Sequence, residues 1–168
     1  MAMIACTKKL LDFADLSTSP LPEAGYKPLH SWHANIFKVG RKTCLMIMND
    51  LTRYQLVLYG VKKEHFKDFG RTLRTNFEII LKADKFDERE ISVVLSEMNR
   101  IAYTKTHNKS ILGSINDQIS MAEHWIQQYL PTEHLNIIDL NIKLNDSVIL
   151  KLEEGYSRKA MKKALKVN

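Results

Sequence analysis

Five polar residues fall where a predicted β-hairpin would bring them together. They are His33, Asn35, Asn49, Asp50 and Thr52. Gly40 and Arg41 supply the turn between two β-rich segments, so the start of the first strand lies beside the end of the second. A histidine close to an aspartate suits general base catalysis, because the carboxylate holds the imidazole in one tautomer. The alternative is structural: a hydrogen-bonded histidine beside a turn formed by asparagine and aspartate.

A second group of polar and basic residues surrounds a predicted change from strand to helix. Its members are Thr104, Lys105, Thr106, Lys109, Ser110, Ser114 and Asn116. The pattern predicts a strand, then a loop, then a helix that Ser114 caps and that runs to about Leu130. The free N–H groups and positive dipole end of such a helix, with lysines nearby, suit a phosphate or other anion. The residue order of a phosphate-binding P-loop is absent, and a capped helix with solvated lysines is the alternative.

The end of the chain carries five basic residues with no acid among them. They are Arg158, Lys159, Lys162, Lys163 and Lys166. Apolar spacing over residues 147–165 predicts a helix, whose basic segment would supply accessory charge to a phosphate backbone or an acidic partner. A solvated terminal helix is the alternative. No aromatic residue interleaves with these charges, so stacking of single-stranded nucleic acid is not expected there.

The histidines and cysteines form no recognisable metal or cofactor motif. His30 and His33, three residues apart, would point to opposite faces of one strand, and no third ligand follows at an expected spacing. Cys6 and Cys44 lie in apolar runs and are expected to be buried free thiols. Dinucleotide-binding and nucleophile-elbow motifs are absent. We therefore expect no metal and no cofactor.

The composition is that of one globular domain. Of the 168 residues, 45 % are hydrophobic and 26 % charged, which excludes a disordered chain. The net charge of +6 permits contact with nucleic acid or another polyanion through charge attraction and counterion release. No apolar run approaches the roughly 18 residues that span a bilayer, and the apolar N-terminus is too short for a signal peptide. A cytoplasmic location and no membrane partner are expected.

The periodicity of the sequence predicts an α+β fold. Strand patterns occupy residues 3–7, 31–38, 43–48, 54–59 and 101–106, and helical spacing follows over 63–82 and again from Asp87. We expect a mainly antiparallel sheet of four to five strands with helices packed against it. Residues 1–145 would form a single domain, and residues 146–168 a basic helical C-terminal extension that can pack on the same domain.

Four short motifs occur in a fixed order. They are Ser-Trp-His-Ala-Asn at 31–35, Asn-Asp-x-Thr at 49–52, Thr-Lys-Thr at 104–106 and Leu-Gly-Ser-x-Asn-Asp at 112–117. Together they resemble a family of small bacterial proteins catalogued only as a domain of unknown function, over about residues 1–130. That family carries Arg where this chain has Lys109, and Met where it has Ile115. The resemblance implies a bacterial, cytoplasmic protein and supplies no activity, but its polar positions coincide with the first two groups above.

Three functions fit these observations. The leading hypothesis is a binding module for a phosphate-bearing partner, nucleic acid or a nucleotide, with residues 105–114 as the anion site. The alternative is a small hydrolase or transferase with His33 as base and Asp50 as its orienting group, which requires His33 and residues 105–114 to share one pocket. A third is a protein-interaction regulator linked to a mobile or toxin-type system. The sequence determines neither the ligand nor the oligomeric state.

Overall fold

A computed structural model describes residues 1–22, 25–129 and 136–167. Its five strands are β1 (Ala2–Cys6), β2 (Ser31–Val39), β3 (Lys42–Asn49), β4 (Gln55–Tyr59) and β5 (Ile101–Lys105). Its α-helices are α1 (Lys8–Ala14), α2 (Phe69–Ala83), α3 (Glu88–Glu97), α4 (Lys109–Tyr129), α5 (Ile137–Asn145) and α6 (Ser157–Val167). The predicted α+β class and the strand segments are confirmed.

The strands form one mixed sheet in the order β4-β3-β2-β1-β5. Strands β2, β3 and β4 form an antiparallel meander, which contains the predicted hairpin of β2 and β3. The first strand, β1, lies between β2 and β5 and runs parallel to both. Parallel neighbours need crossover connections, which place residues distant in sequence side by side. This insertion of β1 brings the end of β5 close to β2.

Both faces of the sheet are covered, so the central strands are apolar on both sides. One face, with Ile4, Trp32, Ile47 and Leu56, packs against α1, α2, α3 and α6. The other face, with Met46, Met48 and Val57, packs against α4 and α5. His33 is on the second face, because it alternates along β2 with Trp32 and Ala34 of the first.

The outer edge of β4 is hydrogen-bonded by two asparagines of α5. Asn141 accepts a hydrogen bond from the N–H of Val57 (2.7 Å) and donates to its carbonyl (3.0 Å). Asn145 makes the same pair of bonds with the backbone of Gln55, at 3.0 and 2.9 Å. The two side-chain amides act like the peptide groups of a further strand, so the backbone of β4 is paired although no strand lies beyond it in the described part of the chain.

Helix α4 begins several residues earlier than its pattern predicts. Asn108 accepts a hydrogen bond from the N–H of Ile111 (3.1 Å) at the start of the helix. The prediction that Ser114 caps the helix is wrong: Ser114 lies inside α4, where its hydroxyl donates to the carbonyl of Ser110 (3.2 Å). Asparagine caps helices as well as serine does, and its position decides the start. The predicted helix end near Leu130 lies outside the described residues.

The C-terminal helix is shorter than predicted and belongs to the main core. Helix α6 starts at Ser157, and residues 147–156 form turns with one isolated bridge between Val148 and Tyr156. Met161 and Leu165 of α6 are almost fully buried in the same core as α2 and α3. No helix in the described part of the chain is long and apolar enough to cross a membrane.

Candidate functional site

His33 and Asp50 form a buried hydrogen-bonded pair. The Nδ1 atom of His33 lies 2.7 Å from Oδ1 of Asp50, and the exposed fractions of the two side chains are 0 % and 1 %. The hairpin register places Trp32 opposite Asn49, and the N–H of Asp50 then donates to the carbonyl of Ser31 (2.9 Å). The proximity of His33 and Asp50 predicted from the spacing is therefore confirmed.

Asn49 and Thr52 shape the turn that holds Asp50. The side-chain oxygen of Asn49 accepts hydrogen bonds from the N–H and the hydroxyl of Thr52, both at 3.0 Å. Its amide group donates to the carbonyl of Leu29 at 2.8 Å. Both side chains are buried and have hydrogen-bond partners within the protein. They hold the turn that carries the Asp50 carboxylate.

Asn35 lies apart from the other four predicted residues. Its side-chain oxygen accepts hydrogen bonds from the hydroxyl of Thr7 (2.7 Å) and from the N–H of Ile36 (2.9 Å). Thr7 in turn caps α1 by accepting from the N–H of Leu10. Asn35 thus connects β2 to the start of α1. It lies two residues further along β2 than His33, opposite Met46 of β3.

Two further residues support Asp50 from outside the hairpin strands. The hydroxyl of Tyr26 donates to Oδ2 of Asp50 at 2.6 Å, and the guanidinium of Arg53 donates to the backbone carbonyl of Asp50. Burial, and then the hydrogen bond to Asp50, raise the pKa of Tyr26 far above its ordinary value, so the phenol keeps its proton. Both carboxylate oxygens of Asp50 therefore accept a hydrogen bond, one from the imidazole of His33 and the other from the hydroxyl of Tyr26.

The second ring nitrogen of His33 is buried without a hydrogen-bond partner among the described residues. In the neutral tautomer whose Nδ1–H donates to the Asp50 carboxylate, Nε2 carries the lone pair of the ring. A buried polar atom without a partner costs about 1–3 kcal/mol, so its presence calls for an explanation. A proton donor, a substrate or a metal ion at this atom would satisfy it.

His107 lies against this site from the segment that follows β5. Its ring centroid is 4.6 Å from that of His33 and 5.5 Å from that of Tyr26. Burial of the ring, and then the neighbouring His33, lower the pKa of His107, although its side chain is partly open to solvent. One ligand atom from each of His33, Asp50 and His107 lies within 4.8 Å of the other two. These three residues could hold a metal ion.

Sequence reasoning missed His107 and Tyr26. Their contacts join a loop before β2 and the segment after β5 to the hairpin, and no local spacing relates these segments. One signal did point to His107. It directly follows the Thr-Lys-Thr motif at the end of a strand, where side chains of neighbouring parallel strands meet.

The second predicted group divides into two parts. Thr104 is buried in β5 and pairs with Ala5 of β1, which also pairs with His33. Together with residues 105–107 and 18–21, Thr104 lines an open groove of about 430 Å³. Lys105 and Thr106 therefore adjoin His107, and through it His33. His33 does not line this groove, so the requirement that His33 and residues 105–114 share one pocket is not met; His33 contacts the groove only through the ring of His107.

The remaining members of that group lie on α4. Lys109 and Asn116 are exposed, while Ser110 accepts a hydrogen bond from the ammonium group of Lys151 at 3.2 Å. Ser114 is buried and bonded within the helix. Of these four, Lys109 alone presents a cation at the start of α4.

Most of the basic residues of α6 have partners within the protein. Arg158 forms ion pairs with Asp84 and Asp146. The other contacts are those of Lys163 with Glu154 (3.1 Å), Lys162 with the carbonyl of Lys85 (2.9 Å) and Lys159 with the ring of Tyr156 (5.0 Å). Lys166 is exposed. Because α6 packs on the face opposite to α4, these charges do not extend the groove.

The fold and the site together define an α+β protein with a buried histidine–aspartate pair next to an open groove. The chain belongs to the protein family described as a domain of unknown function, DUF6933, which it matches over residues 3–160. No curated protein and no solved structure is significantly similar to the chain.

Proposed function

We propose that the protein is a small hydrolase or transferase that activates a water molecule or a hydroxyl group at His33. One observation carries the proposal: a fully buried histidine whose Nδ1 is held by a carboxylate and whose Nε2 has no partner among the described residues. A structural histidine normally satisfies both ring nitrogens. A histidine held from one side by aspartate, with the other nitrogen left as a lone pair, suits a general base.

The neighbouring residues support such a step. When Nε2 accepts a proton from the nucleophile, the ring becomes an imidazolium, which the Asp50 carboxylate stabilises across the 2.7 Å hydrogen bond. Tyr26 and the guanidinium of Arg53 hold Asp50 in position. The proton can then be returned to a leaving group. This arrangement needs no movement of the aspartate during the reaction.

The groove beside His107 indicates the substrate class. Its lining combines the hydroxyl groups of Thr104 and Thr106 with the exposed cation of Lys105. Hydroxyls and a cation favour an anionic substrate, and a phosphate ester or a carboxylate would match them. His107 lies between this groove and His33, so a substrate bound in the groove would reach the base by displacing or turning the His107 ring.

A panel of chromogenic substrates tests the proposal. Wild-type protein is assayed with p-nitrophenyl phosphate, bis(p-nitrophenyl) phosphate and p-nitrophenyl acetate. His33→Gln is expected to lower kcat by at least about 100-fold, the range of general acid–base catalysis. His124→Gln is the matched control, because His124 is exposed on α4 and bonds to Gln128 there. Turnover that persists unchanged in His33→Gln, or no turnover of any ester by wild-type protein, would contradict the proposal.

A second candidate is the binding of a phosphate-bearing polymer, DNA or RNA, without chemistry. Lys105 lines the groove and Lys109 lies at the start of α4. Both favour this candidate, because both are exposed and neither is in an ion pair with a described residue. Affinity would then fall steeply with salt, and Lys105→Gln or Lys109→Gln would each reduce the slope of log K against log salt by about 1. Lys166→Gln on α6 is the control. A flat salt dependence would exclude this candidate.

A further inference from the structure

We propose that His33 and His107 bind a divalent transition-metal ion such as Zn²⁺, while Asp50 accepts a hydrogen bond from Nδ1 of His33. The inference goes beyond the proposed function and gives His33 a different role, because a metal bound to Nε2 takes the lone pair that a general base would use. Only the catalytic use of the ion rests on the proposed ester turnover. Zinc, cobalt, nickel and copper ions all accept imidazole ligands. Spacing along the chain does not predict this site, because its two histidines lie on segments that only the fold brings together.

The first argument is the state of His33 Nε2. The atom is buried, lies on a ring that is 0 % exposed, and has no hydrogen-bond partner among the described residues. With Nδ1–H donating to Asp50, Nε2 offers the lone pair that a metal requires. A bound ion would turn a costly buried atom into a ligand.

The second argument is the role of Asp50. In metal sites, a ligating histidine usually donates its other ring N–H to a carboxylate, which fixes the tautomer and makes the ring a stronger ligand. His33 and Asp50 have this arrangement at 2.7 Å. Asp50 is itself held through its second oxygen by Tyr26 at 2.6 Å. Both oxygens are thereby occupied, so Asp50 acts on the ion through His33.

The third argument is the position of His107. Its ring lies 4.6 Å from that of His33, and ligand atoms of His33, Asp50 and His107 all lie within 4.8 Å of one another. His107 is exposed and borders the groove, so an ion can reach its ring from solvent. Two imidazole ligands leave open positions on the ion, whereas catalytic zinc sites usually have three protein ligands and one open position.

The ion would change how the nucleophile is made. A metal bound to Nε2 takes the lone pair that would otherwise accept a proton, and it lowers the pKa of a water molecule bound to it. That water would release its proton to solvent, and the remaining hydroxide would attack the phosphorus or carbonyl carbon of the ester. The bond to the leaving oxygen would break, and the leaving group would take a proton from solvent. The groove with Thr104, Lys105 and Thr106 would then hold the anionic part of the substrate beside the metal-bound water.

A calorimetric titration of the metal-free full-length protein with Zn²⁺ tests the site without any activity assay. One ion per chain is expected. His107→Gln should weaken binding by at least about tenfold, and since His107 is partly open to solvent this variant should fold normally. Asp50→Asn should weaken binding by about 10–100-fold, which is the usual effect of losing a carboxylate that accepts a hydrogen bond from a ligating histidine. Co²⁺ should give visible absorption bands that the variants lose.

Two controls make the result decisive. His124→Gln and His65→Gln remove histidines outside the cluster and should leave Zn²⁺ affinity unchanged. Wild-type affinity in His107→Gln, or no stoichiometric Zn²⁺ binding by the wild-type protein, would overturn the inference. Zn²⁺ binding without ester turnover would remove the proposed function and leave the site. Turnover that chelators do not affect, without Zn²⁺ binding, would remove the site and leave the proposed function.

Discussion

The imidazole rings of His33 and His107 lie with their centroids 4.6 Å apart and their planes inclined by 61°. This contact brings the segment after β5, which carries Lys105 and Thr106, next to the His33–Asp50 pair. It depends on β1, because Ala5 pairs with His33 of β2 on one side and with Thr104 of β5 on the other. The chain leaving β5 therefore crosses the sheet next to His33 before α4 begins.

In the metal-free protein, the pKa of His107 should lie below its usual value of about 6.5, because burial and the neighbouring His33 disfavour its protonated form. The unfolded chain then binds the proton more readily. The contribution of His107 to stability is present above about pH 6.5 and is lost as the pH falls from there. NMR titration of the ring protons measures the pKa, and His107→Gln should remove this part of the pH dependence of unfolding.

Variants of the neighbouring residues should move this pKa in opposite directions. Asp50 raises the pKa of His107 through its charge, so Asp50→Asn should lower it further. His33 lowers it, so His33→Gln should raise it. If both variants left the titration of His107 unchanged, the three side chains would not be coupled in solution.

Asn141 should contribute strongly to stability although it is polar. Asn141→Leu removes both hydrogen bonds to the backbone of Val57 and leaves two backbone groups of β4 unpaired. The free energy of unfolding should fall by about 2–3 kcal/mol, and the exposed strand edge should promote self-association. Urea denaturation and sedimentation measure the two effects. Asn116→Leu, at an exposed position of α4, should change stability by less than about 0.5 kcal/mol.

Two helical glycines should respond to alanine with opposite signs. A Cβ atom at Gly70 would lie 2.7 Å from the backbone carbonyl oxygen of Met98, so Gly70→Ala should destabilise the protein by about 1–3 kcal/mol. At Gly113 a Cβ atom meets nothing within 4 Å, so Gly113→Ala should stabilise α4 by about 0.5–1 kcal/mol. Thermal unfolding of both variants checks the signs, and equal shifts would contradict this packing.

Arg158 should act on stability rather than on partner binding. Its guanidinium pairs with the buried Asp84, which also accepts a hydrogen bond from the hydroxyl of Tyr54 at 2.8 Å. Arg158→Gln leaves that carboxylate without its cation and should cost about 3 kcal/mol near pH 7. Lys166→Gln, at an exposed position, should have almost no effect.

The pH dependence of the Arg158 effect offers an independent check. Burial already raises the pKa of Asp84 above its ordinary value, and the loss of Arg158 should raise it further. The variant should therefore be least stable relative to wild type at neutral pH, where the carboxylate is ionised, and should approach wild type as the pH falls. A destabilisation independent of pH would show that packing of the Arg158 side chain is responsible instead.

Local patterns in the sequence determined where the strands lie and that His33 meets Asp50. Alternation and apolar runs located all five strands, because a strand buried on one or both faces must present apolar residues at regular intervals. Turn residues between β2 and β3 set the hairpin register, and that register alone places Asp50 beside His33. The pairing of this histidine with this aspartate therefore follows from the amino-acid sequence by itself.

Only the tertiary structure decided how the rest of the site assembles. The parallel pairing of β1 with β2 and β5 depends on crossovers that leave no periodic signal, and it brings His107 to His33. Competition between two capping residues placed the start of α4 at Asn108 instead of Ser114. The packing of α6 on the far face of the sheet separated its charges from the groove. The strand pairing and the packing of α6 depend on contacts between distant segments, whose free energies no local spacing records.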